Sequence, residues 1–249
     1  MRAVFFRELN AFFSSIVGYV AVLVFLAACG LFLWVLADTS ILDYGYASLD
    51  RFFELAPWLL MLLIPAVTMR SFADEFRGGT IEWLMTKPVS ALKLILGKYF
   101  ATIALILFAL VPTLLYLWTV NQLATVPGSV DLGAAAGSYI GLVFLAAGFA
   151  AIGVFCSSLA GNQIVGFLIA LFACYLFYTG FQALSRLMTA SHGLEYYLSM
   201  IGMQFHYNSI SRGVVDSRDV IYFLSVVTLF LAATRLSLAR RLWQGAAYR

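Results

Sequence analysis

The sequence predicts an all-α integral membrane protein with six transmembrane helices, and three observations support this fold class. The chain has 249 residues, of which 63% are hydrophobic and only 11% are charged, whereas a soluble domain carries roughly 25% charged residues. Six apolar stretches are of the length that a helix needs to cross a hydrocarbon core of about 30 Å. Lysine and arginine are concentrated in alternate connecting segments. Residues 1–249 are therefore predicted to form one transmembrane domain.

The first predicted element is an interfacial amphipathic helix over residues 2–15. Its apolar residues fall on one helical face, and they are Phe5, Leu9, Phe12 and Ile16. Such a helix lies in the plane of the membrane surface, although a short polar tail that runs directly into the first span is an alternative. That span, 17–37, contains a lipoprotein-like box at Cys29, but the apolar run continues past it, which favours an uncleaved span.

Five further spans are predicted from the apolar stretches at 53–69, 99–120, 138–157, 164–185 and 220–238. The second span is the least regular because it contains Pro57 and Pro65. Pro57 lies near the first turn, where proline is tolerated, whereas Pro65 removes a backbone hydrogen bond and is expected to kink or end the helix. Cys29, Cys156 and Cys174 show no ligand-like spacing and are predicted to be packing residues.

The distribution of positive charge predicts the orientation of the spans. With the N-terminus in the cytoplasm, the inner segments hold 11 Lys and Arg residues: Arg2, Arg7, Arg70, Arg77, Lys87, Lys93, Lys98, Arg235, Arg240, Arg241 and Arg249. The outer segments hold four: Arg51, Arg186, Arg212 and Arg218. Cytoplasmic loops carry the excess of positive charge in membrane proteins. Both termini and the loop 70–98 are therefore predicted to be cytoplasmic.

The loop 70–98 is the most distinctive connection, because it holds five of the 15 Lys and Arg residues and three of the 12 Asp and Glu residues. Ser71 and Asp74 form a start like a capping box for a short helix, and Gly78-Gly79 is a stop signal. A second short turn follows, and Ser90 can cap the helix that leads into the third span. We predict two short amphipathic helices that form a docking surface. An ordered loop with a solvated charged face is the alternative.

The segment 186–219 is too apolar for a free loop and too interrupted for a seventh span. We predict short re-entrant helices that dip into the membrane from outside, and a folded or partner-covered loop is the alternative. The segment holds the two histidines of the chain, His192 and His206. Two histidines 14 positions apart are more typical of hydrogen-bonding surface residues than of metal ligands, so no metal site is predicted.

No ionisable side chain lies in the middle of a predicted span. Such groups mark proton and ion pathways in membrane proteins, so the sequence argues against an ion-driven transporter and against an intramembrane protease. The fifth span carries polar residues that either line a substrate path or bond one helix to another: Tyr175, Tyr178, Thr179 and Gln182.

The charged loop carries a resemblance to a known family. The matching positions are Met69, Arg70, Phe72, Glu75, Gly79, Thr80, Glu82, Leu84, Pro88, Ser90 and Gly97-Lys98. Their pattern resembles the first cytoplasmic loop of ABC-2 type transporter permeases. Within that family, the gliding-motility-associated permeases look most similar, on the stretches 55–59, 64–70, 160–164 and 211–223. The resemblance covers essentially the whole chain, and the region 186–210 departs from the family pattern.

The resemblance implies a permease that forms half of a transmembrane dimer in the bacterial cytoplasmic membrane. Each half sits on a separate ATPase subunit, which holds the ATP and Mg; no cofactor is expected in this chain. The chain lacks a Gly-x-x-x-x-Gly-Lys-Ser/Thr motif, so it is not expected to hydrolyse ATP. By similarity, the loop 70–98 carries the coupling helix and the segment 186–219 forms an outer gate. The residues assigned to ATPase coupling are Asp74, Glu75, Arg77, Glu82 and Trp83.

A second function class uses the same docking loop. In it, the chain is a membrane scaffold that passes motion from a cytoplasmic ATPase to periplasmic partners and moves no substrate. A related membrane subunit with a large periplasmic domain would then be a partner. A continuous polar cavity between two copies would favour transport, and a dry, fully packed interface would favour the scaffold.

Overall fold

A computed structural model describes residues 1–36, 40–41, 47–79, 90–124, 130–187 and 194–247. Over these ranges the chain is helical and contains no strand. The α-helices are α1 (Arg2–Phe13), α2 (Ile16–Trp34), α3 (Asp50–Thr68), α4 (Arg70–Arg77), α5 (Ala91–Leu110), α6 (Leu114–Leu123), α7 (Leu132–Leu159), α8 (Gln163–Tyr175), α9 (Phe181–Leu187), α10 (Leu194–Ile201), α11 (Met203–Ile210) and α12 (Ser217–Ala247). A 3₁₀ turn (Val111–Thr113) joins α5 to α6, and a π turn (Leu176–Gly180) joins α8 to α9.

Six helical segments of the described chain are long and apolar enough to cross a membrane. They are Ile16–Trp34, Asp50–Arg77, Ala91–Leu123, Leu132–Leu159, Gln163–Leu187 and Ser217–Arg241. The all-helical fold class and the number of spans are therefore as predicted. The helix α1, which precedes the first span, packs on α5.

The effect predicted for Pro65 differs from the structure. Both Pro57 and Pro65 lie inside α3, and the helix continues to Thr68. The hydroxyl of Thr68 donates to the carbonyl of Ile64 over 2.9 Å and is fully buried. The chain leaves α3 at Met69 and immediately starts α4. The end of the helix is thus set by packing beyond the proline, in agreement with the tolerance of proline in packed transmembrane helices.

The centre of the bundle is α7, whose residues are mostly buried and which packs against α3, α4, α5, α8, α11 and α12. Small residues allow this close approach. A Cβ atom at Gly153 would collide with the side chain of Thr68. The cysteines Cys29, Cys156 and Cys174 are buried, free thiols in this core, as their apolar surroundings predict.

Candidate functional site

The short helix α4 contains the described part of the predicted docking loop. Ser71, Phe72 and Ala73 are buried on its packed face. The helix ends at Arg77, and Gly79 follows in the left-handed region with a φ of 64°. Glycine adopts that conformation without the steric penalty of a Cβ atom. The stop at Gly78-Gly79 is therefore as predicted.

The start of α4 is not capped by its own residues, so the capping box predicted at Ser71 and Asp74 is wrong. Ser71 is buried, and no side chain of α4 caps the helix. Instead, the hydroxyl of Ser157, near the end of α7, accepts from the backbone N–H groups of Phe72 at 3.0 Å and Ala73 at 3.2 Å. A side chain from a helix 85 residues away thus satisfies donors that every helix start leaves unpaired.

Ser157 also anchors the residue before α4. Its hydroxyl donates to the carbonyl of Met69 over 3.0 Å, and its side chain is fully buried. The three bonds use the donor and both acceptor positions of one hydroxyl. The junction between α3 and α4 is therefore fixed to α7 at a single point.

A buried lysine makes the second connection of α4. Lys98, in the second turn of α5, is only 2% exposed. Its Nζ atom lies 2.9 Å from Oε1 of Glu75 and 2.8 Å from Oε1 of Glu8, and it donates to the carbonyl of Ser71. It also lies 5.1 Å from the ring centre of Phe72. A buried charge is costly unless it is paired and hydrogen-bonded, and Lys98 meets both conditions.

The N-terminal helix α1 completes this group of charges. Arg7 lies 2.8 Å from Oε1 of Glu75 and 2.9 Å from Oε1 of Glu8. Two basic and two acidic side chains from α1, α4 and α5 therefore form one neutral network. We call Arg7, Glu8, Glu75 and Lys98 the α4 ion cluster.

The structure corrects the expected environment of Glu75. We expected its carboxylate to project towards an ATPase cleft, but the side chain is only 11% exposed and its partners belong to the same chain. The physical reason is that Lys98 lies buried under α4 and requires an anion there. Glu75 therefore holds α4 in place from inside the bundle, and its part in ATPase coupling stays a prediction.

The other predicted coupling residues occupy different positions. The Asp74 carboxylate accepts a hydrogen bond from the side-chain amide of Gln163, at the start of α8. Arg77 is the exposed last residue of α4. Glu82 and Trp83 lie outside the residues that the structure describes. The structure thus brings Asp74 and Glu75 into the bundle and leaves the Arg77 end of α4 at the surface.

The last span also contacts α4. The guanidinium of Arg241 lies 4.2 Å from the ring centre of Phe76, and it donates to the carbonyl of Leu159 over 2.5 Å. The eight-residue helix α4 is therefore contacted by α1, α5, α7, α8 and α12. No other helix of this length in the described chain is held by ion pairs to two others.

Sequence reasoning missed Lys98, Ser157 and the pairing of Glu8. The sequence does point to Lys98, because a lysine directly after a glycine, Gly97, stands at the start of an apolar span. A Cβ atom at Gly97 would lie 3.0 Å from Cβ of Val4, so the glycine allows α1 to pack on α5 beside the lysine. No spacing rule connects these residues to Glu75, since the partners are 23 to 90 positions apart.

The candidate path residues are divided between the core and the surface. Tyr178 is 2% exposed and packs against Trp58, Phe149 and Tyr207. Its burial within one chain favours the second alternative for this residue, a contact between helices. Tyr175 is exposed, and the hydroxyl of Thr179 donates to its carbonyl.

Gln182 is partly exposed in α9, directly after the π turn that contains Tyr178 and Thr179. Such π turns are rare and often occur at functional sites. Tyr175, Thr179 and Gln182 therefore stay candidates for a surface that faces a path, whereas the burial of Tyr178 favours a contact between helices.

A second buried pair of hydrogen-bonded side chains lies in the segment predicted to face outward. Nδ1 of His206 lies 2.7 Å from Oδ1 of Asp219, and Nε2 lies 2.9 Å from the carbonyl of Met200. The ring of Tyr222 stacks on the histidine with centres 3.8 Å apart. His206 is 6% exposed, so the expectation of a surface histidine is wrong. We call His206 and Asp219, with the stacked Tyr222, the α11 cluster.

The α11 cluster has a defined proton requirement. A carbonyl only accepts, so Nε2 of His206 must donate to Met200. Nδ1 then faces a carboxyl group, and a bond between them requires one further proton on either the ring or Asp219. Among the described residues, no group of three or more His, Cys, Asp or Glu side chains is placed to hold a metal.

The six apolar helices and their polar junctions define a multi-pass membrane protein. The family model described as ABC-2 family transporter protein matches residues 34–240. The chain therefore belongs to the ABC-2 transporter family. Members of this family are membrane subunits that work with an ABC ATPase and are not normally catalytic themselves. No curated protein sequence matches the chain.

Proposed function

We propose that the chain is the permease subunit of an ATP-driven ABC transporter and that α4 is its coupling helix. The observation that carries this proposal is the attachment of α4. Its first turn is fixed to α7 by Ser157, its middle is fixed to α1 and α5 by Glu75, and its last residue, Arg77, is exposed. A short helix with one anchored side and one free end is suited to transmit displacement into a bundle.

The transmission follows from the contacts. A partner that pushes on the Arg77 end moves Glu75 and Asp74, and their bonds pull on α5 and α8. Separating Lys98 from its carboxylates would leave buried charges unpaired, at a cost of about 3–5 kcal/mol. Because that cost exceeds the energy of small helix movements, the helices move with α4 before the cluster opens. Packed helices shift in this way in many switching proteins.

The remaining assignments extend this proposal. ATP and Mg are held by the partner ATPase, and a second permease copy or a related membrane subunit completes the complex. The 11 to 4 distribution of Lys and Arg supports cytoplasmic termini in a bacterial cytoplasmic membrane. The helices α10 and α11 form an outer gate that the α11 cluster fixes to α12. A link to gliding motility rests on the stretches 55–59, 64–70, 160–164 and 211–223.

The alternative is a scaffold that moves no substrate. It would use the same coupling helix, so the contacts of α4 do not distinguish the two functions. The two differ in what lies between two copies of the chain. Tyr175 and Thr179 are replaced singly by cysteine, and the assembled complex is treated with a water-soluble thiol reagent. Labelling at these positions supports transport, and protection of both positions supports the scaffold.

The docking role of α4 is tested by reversing its exposed charge. Arg77→Glu should abolish recovery of the cognate ATPase with the purified permease, while insertion and size-exclusion behaviour stay unchanged. Arg218→Glu is the matched control, because Arg218 is exposed near the start of the last span. Full ATPase recovery with Arg77→Glu would show that α4 is not the docking element.

A further inference from the structure

A cavity of about 210 Å³ lies beside the α4 ion cluster, between α1, α2, α4 and α5. Its wall is mixed in character. Charged side chains from the cluster meet Arg70 and Asp74 on one side, and Phe12, Val17 and Leu105 form the apolar side. A cavity between an N-terminal helix and the ends of spans lies where a membrane has its headgroups, if α1 lies in the interface as its pattern predicts.

Arg70 is the unusual residue of this wall. The guanidinium has neither a hydrogen-bond acceptor nor an ion-pair partner among the residues that the structure describes, and its Nε atom is buried. Lys98, in the same wall, is saturated by Glu8, Glu75 and the Ser71 carbonyl. Buried donors in native proteins almost always have an acceptor. The unsatisfied Nε–H of Arg70 thus indicates an acceptor that another molecule supplies.

The cavity continues into an apolar groove that indicates the rest of that molecule. A groove of about 500 Å³ adjoins it, and Phe12 and Gly18 line both spaces. The groove is formed by Phe13, Tyr19, Val22, Leu26 and Phe108. A charged compartment that opens into an apolar groove matches a molecule with a polar head and a hydrocarbon chain.

The charges of the wall select the kind of head. Arg70 suits a phosphate, because a guanidinium pairs well with phosphate oxygens. The same wall holds three carboxylates, but Glu8 and Glu75 are neutralised within the α4 ion cluster by its two basic side chains. The charges of the wall outside the ion cluster are therefore Arg70 and Asp74, one of each sign. A head that carries a phosphodiester and a primary ammonium fits both signs, since an ammonium donates hydrogen bonds to carboxylates.

We propose that this cavity and groove form a binding site for one phospholipid with a phosphodiester and a primary ammonium in its head. Arg70 binds the phosphate, Asp74 favours the ammonium, and one acyl chain lies in the groove. The site rests on Arg70 and the cavity, and it does not require the docking role of α4. A bound lipid there would join α1, α2 and α4 at the same level as the ion cluster.

The test is lipid retention by the purified full chain. The protein is exchanged into nanodiscs of equal phosphatidylethanolamine and phosphatidylglycerol, extracted in mild detergent and examined by native mass spectrometry. The wild-type chain should keep one phosphatidylethanolamine in preference to phosphatidylglycerol. Arg70→Gln should lower that retention by about tenfold, because it removes one charge-assisted contact. Arg77→Gln, in the same helix but exposed, should retain the lipid.

A second variant separates lipid binding from folding. Ala66 lines the cavity, and Ala66→Leu fills space without changing charge, so it should also reduce retention. Arg70→Gln should leave the thermal unfolding of the delipidated protein unchanged, because the described residues supply no partner that Arg70 would lose. Equal retention by wild type and Arg70→Gln, equal retention of the two lipids, or displacement of the lipid by inorganic phosphate would each overturn the proposal.

Discussion

The α4 ion cluster and the α11 cluster are built in different ways. The first is centred on the buried Lys98 and reaches the surface at Arg7, whereas His206 and Asp219 are both buried. The first joins four charged side chains from three helices that are far apart in the sequence. The second joins two side chains 13 positions apart and a backbone carbonyl. Helix α4 contacts α12 at Arg241, and the α11 cluster contacts it at Asp219; these two residues lie about 33 Å apart along that helix at 1.5 Å per residue.

The difference indicates two kinds of work. Each member of the α4 ion cluster pairs with a side chain of another helix, so movement of one helix displaces the others. The α11 cluster fixes one short segment to the start of the last span and depends on a single extra proton. The first is therefore suited to transmit movement, and the second is suited to hold a segment closed.

The largest expected effect is the loss of Lys98. Lys98→Met removes the buried cation that Glu8 and Glu75 share, at a cost of about 3–5 kcal/mol. We expect a large fall in the midpoint of thermal unfolding in detergent. Lys93→Met, five residues earlier on an exposed position of the same helix, is the control. A midpoint for Lys98→Met equal to that of the control would show that the cluster does not stabilise the bundle.

A second change sharpens this result. Adding Glu75→Gln to Lys98→Met removes the charge of the carboxylate that has lost its lysine, so the double variant should regain part of the lost stability. Contacting residues in one network are expected to be non-additive. Strict additivity of the two changes would argue against a direct ion pair.

The next effect in size concerns the cap of α4. Ser157→Ala leaves the N–H groups of Phe72 and Ala73 without an acceptor, which costs about 1–2 kcal/mol. Hydrogen exchange of residues 70–77 should become faster. Ser158→Ala is the matched control, because the hydroxyl of Ser158 bonds only within α7. Unchanged exchange in Ser157→Ala would place the anchor of α4 elsewhere.

These two regions also show what the sequence could predict. Local signals were sufficient for the six apolar helices, for the stop at Gly78-Gly79 and for the cap at Ser90, whose hydroxyl accepts from the Lys93 N–H. Each depends on residues within a few positions of one another. Local rules therefore describe the end of α4 and the start of α5.

Long-range pairing was outside the reach of such rules. Ser157 caps a helix 85 positions away, and Lys98 pairs with Glu8 across 90 positions. Burial of His206 depends on how α10 folds over it, which no periodicity of an eight-residue helix reveals. The environment of Glu75 was missed for the same reason. Its charge predicted an exposed side chain, but the ion pair with Lys98, 23 positions away, holds it inside the bundle.

A smaller effect is expected at the α11 cluster. Asp219→Asn keeps the size of the side chain but removes its charge, so the bond to His206 weakens by about 1 kcal/mol. Hydrogen exchange of residues 194–213 should rise, while exchange of residues 70–77 stays unchanged. Asp216→Asn, on the exposed turn before α12, is the control. Faster exchange at residues 70–77 as well as at residues 194–213 would show that the two clusters are coupled to each other.

The smallest effect is expected where the last span contacts α4. Arg241→Gln removes the guanidinium from the ring of Phe76, and a partly exposed contact of this kind is worth about 0.5–1 kcal/mol. The midpoint of thermal unfolding should fall slightly, and ATPase recovery should persist. A fall as large as that of Lys98→Met would mean that α12, and not α5, is the main support of α4.

The most direct test of the central claim is a cross-link between the exposed end of α4 and the ATPase. The native cysteines are all buried, so a single new thiol at Arg77→Cys can carry a photoreactive label selectively. The account predicts a covalent adduct with the cognate ATPase in the assembled complex and none from the same label at Arg218→Cys. An adduct from Arg218→Cys, with none from Arg77→Cys, would contradict the assignment of α4 as the coupling helix.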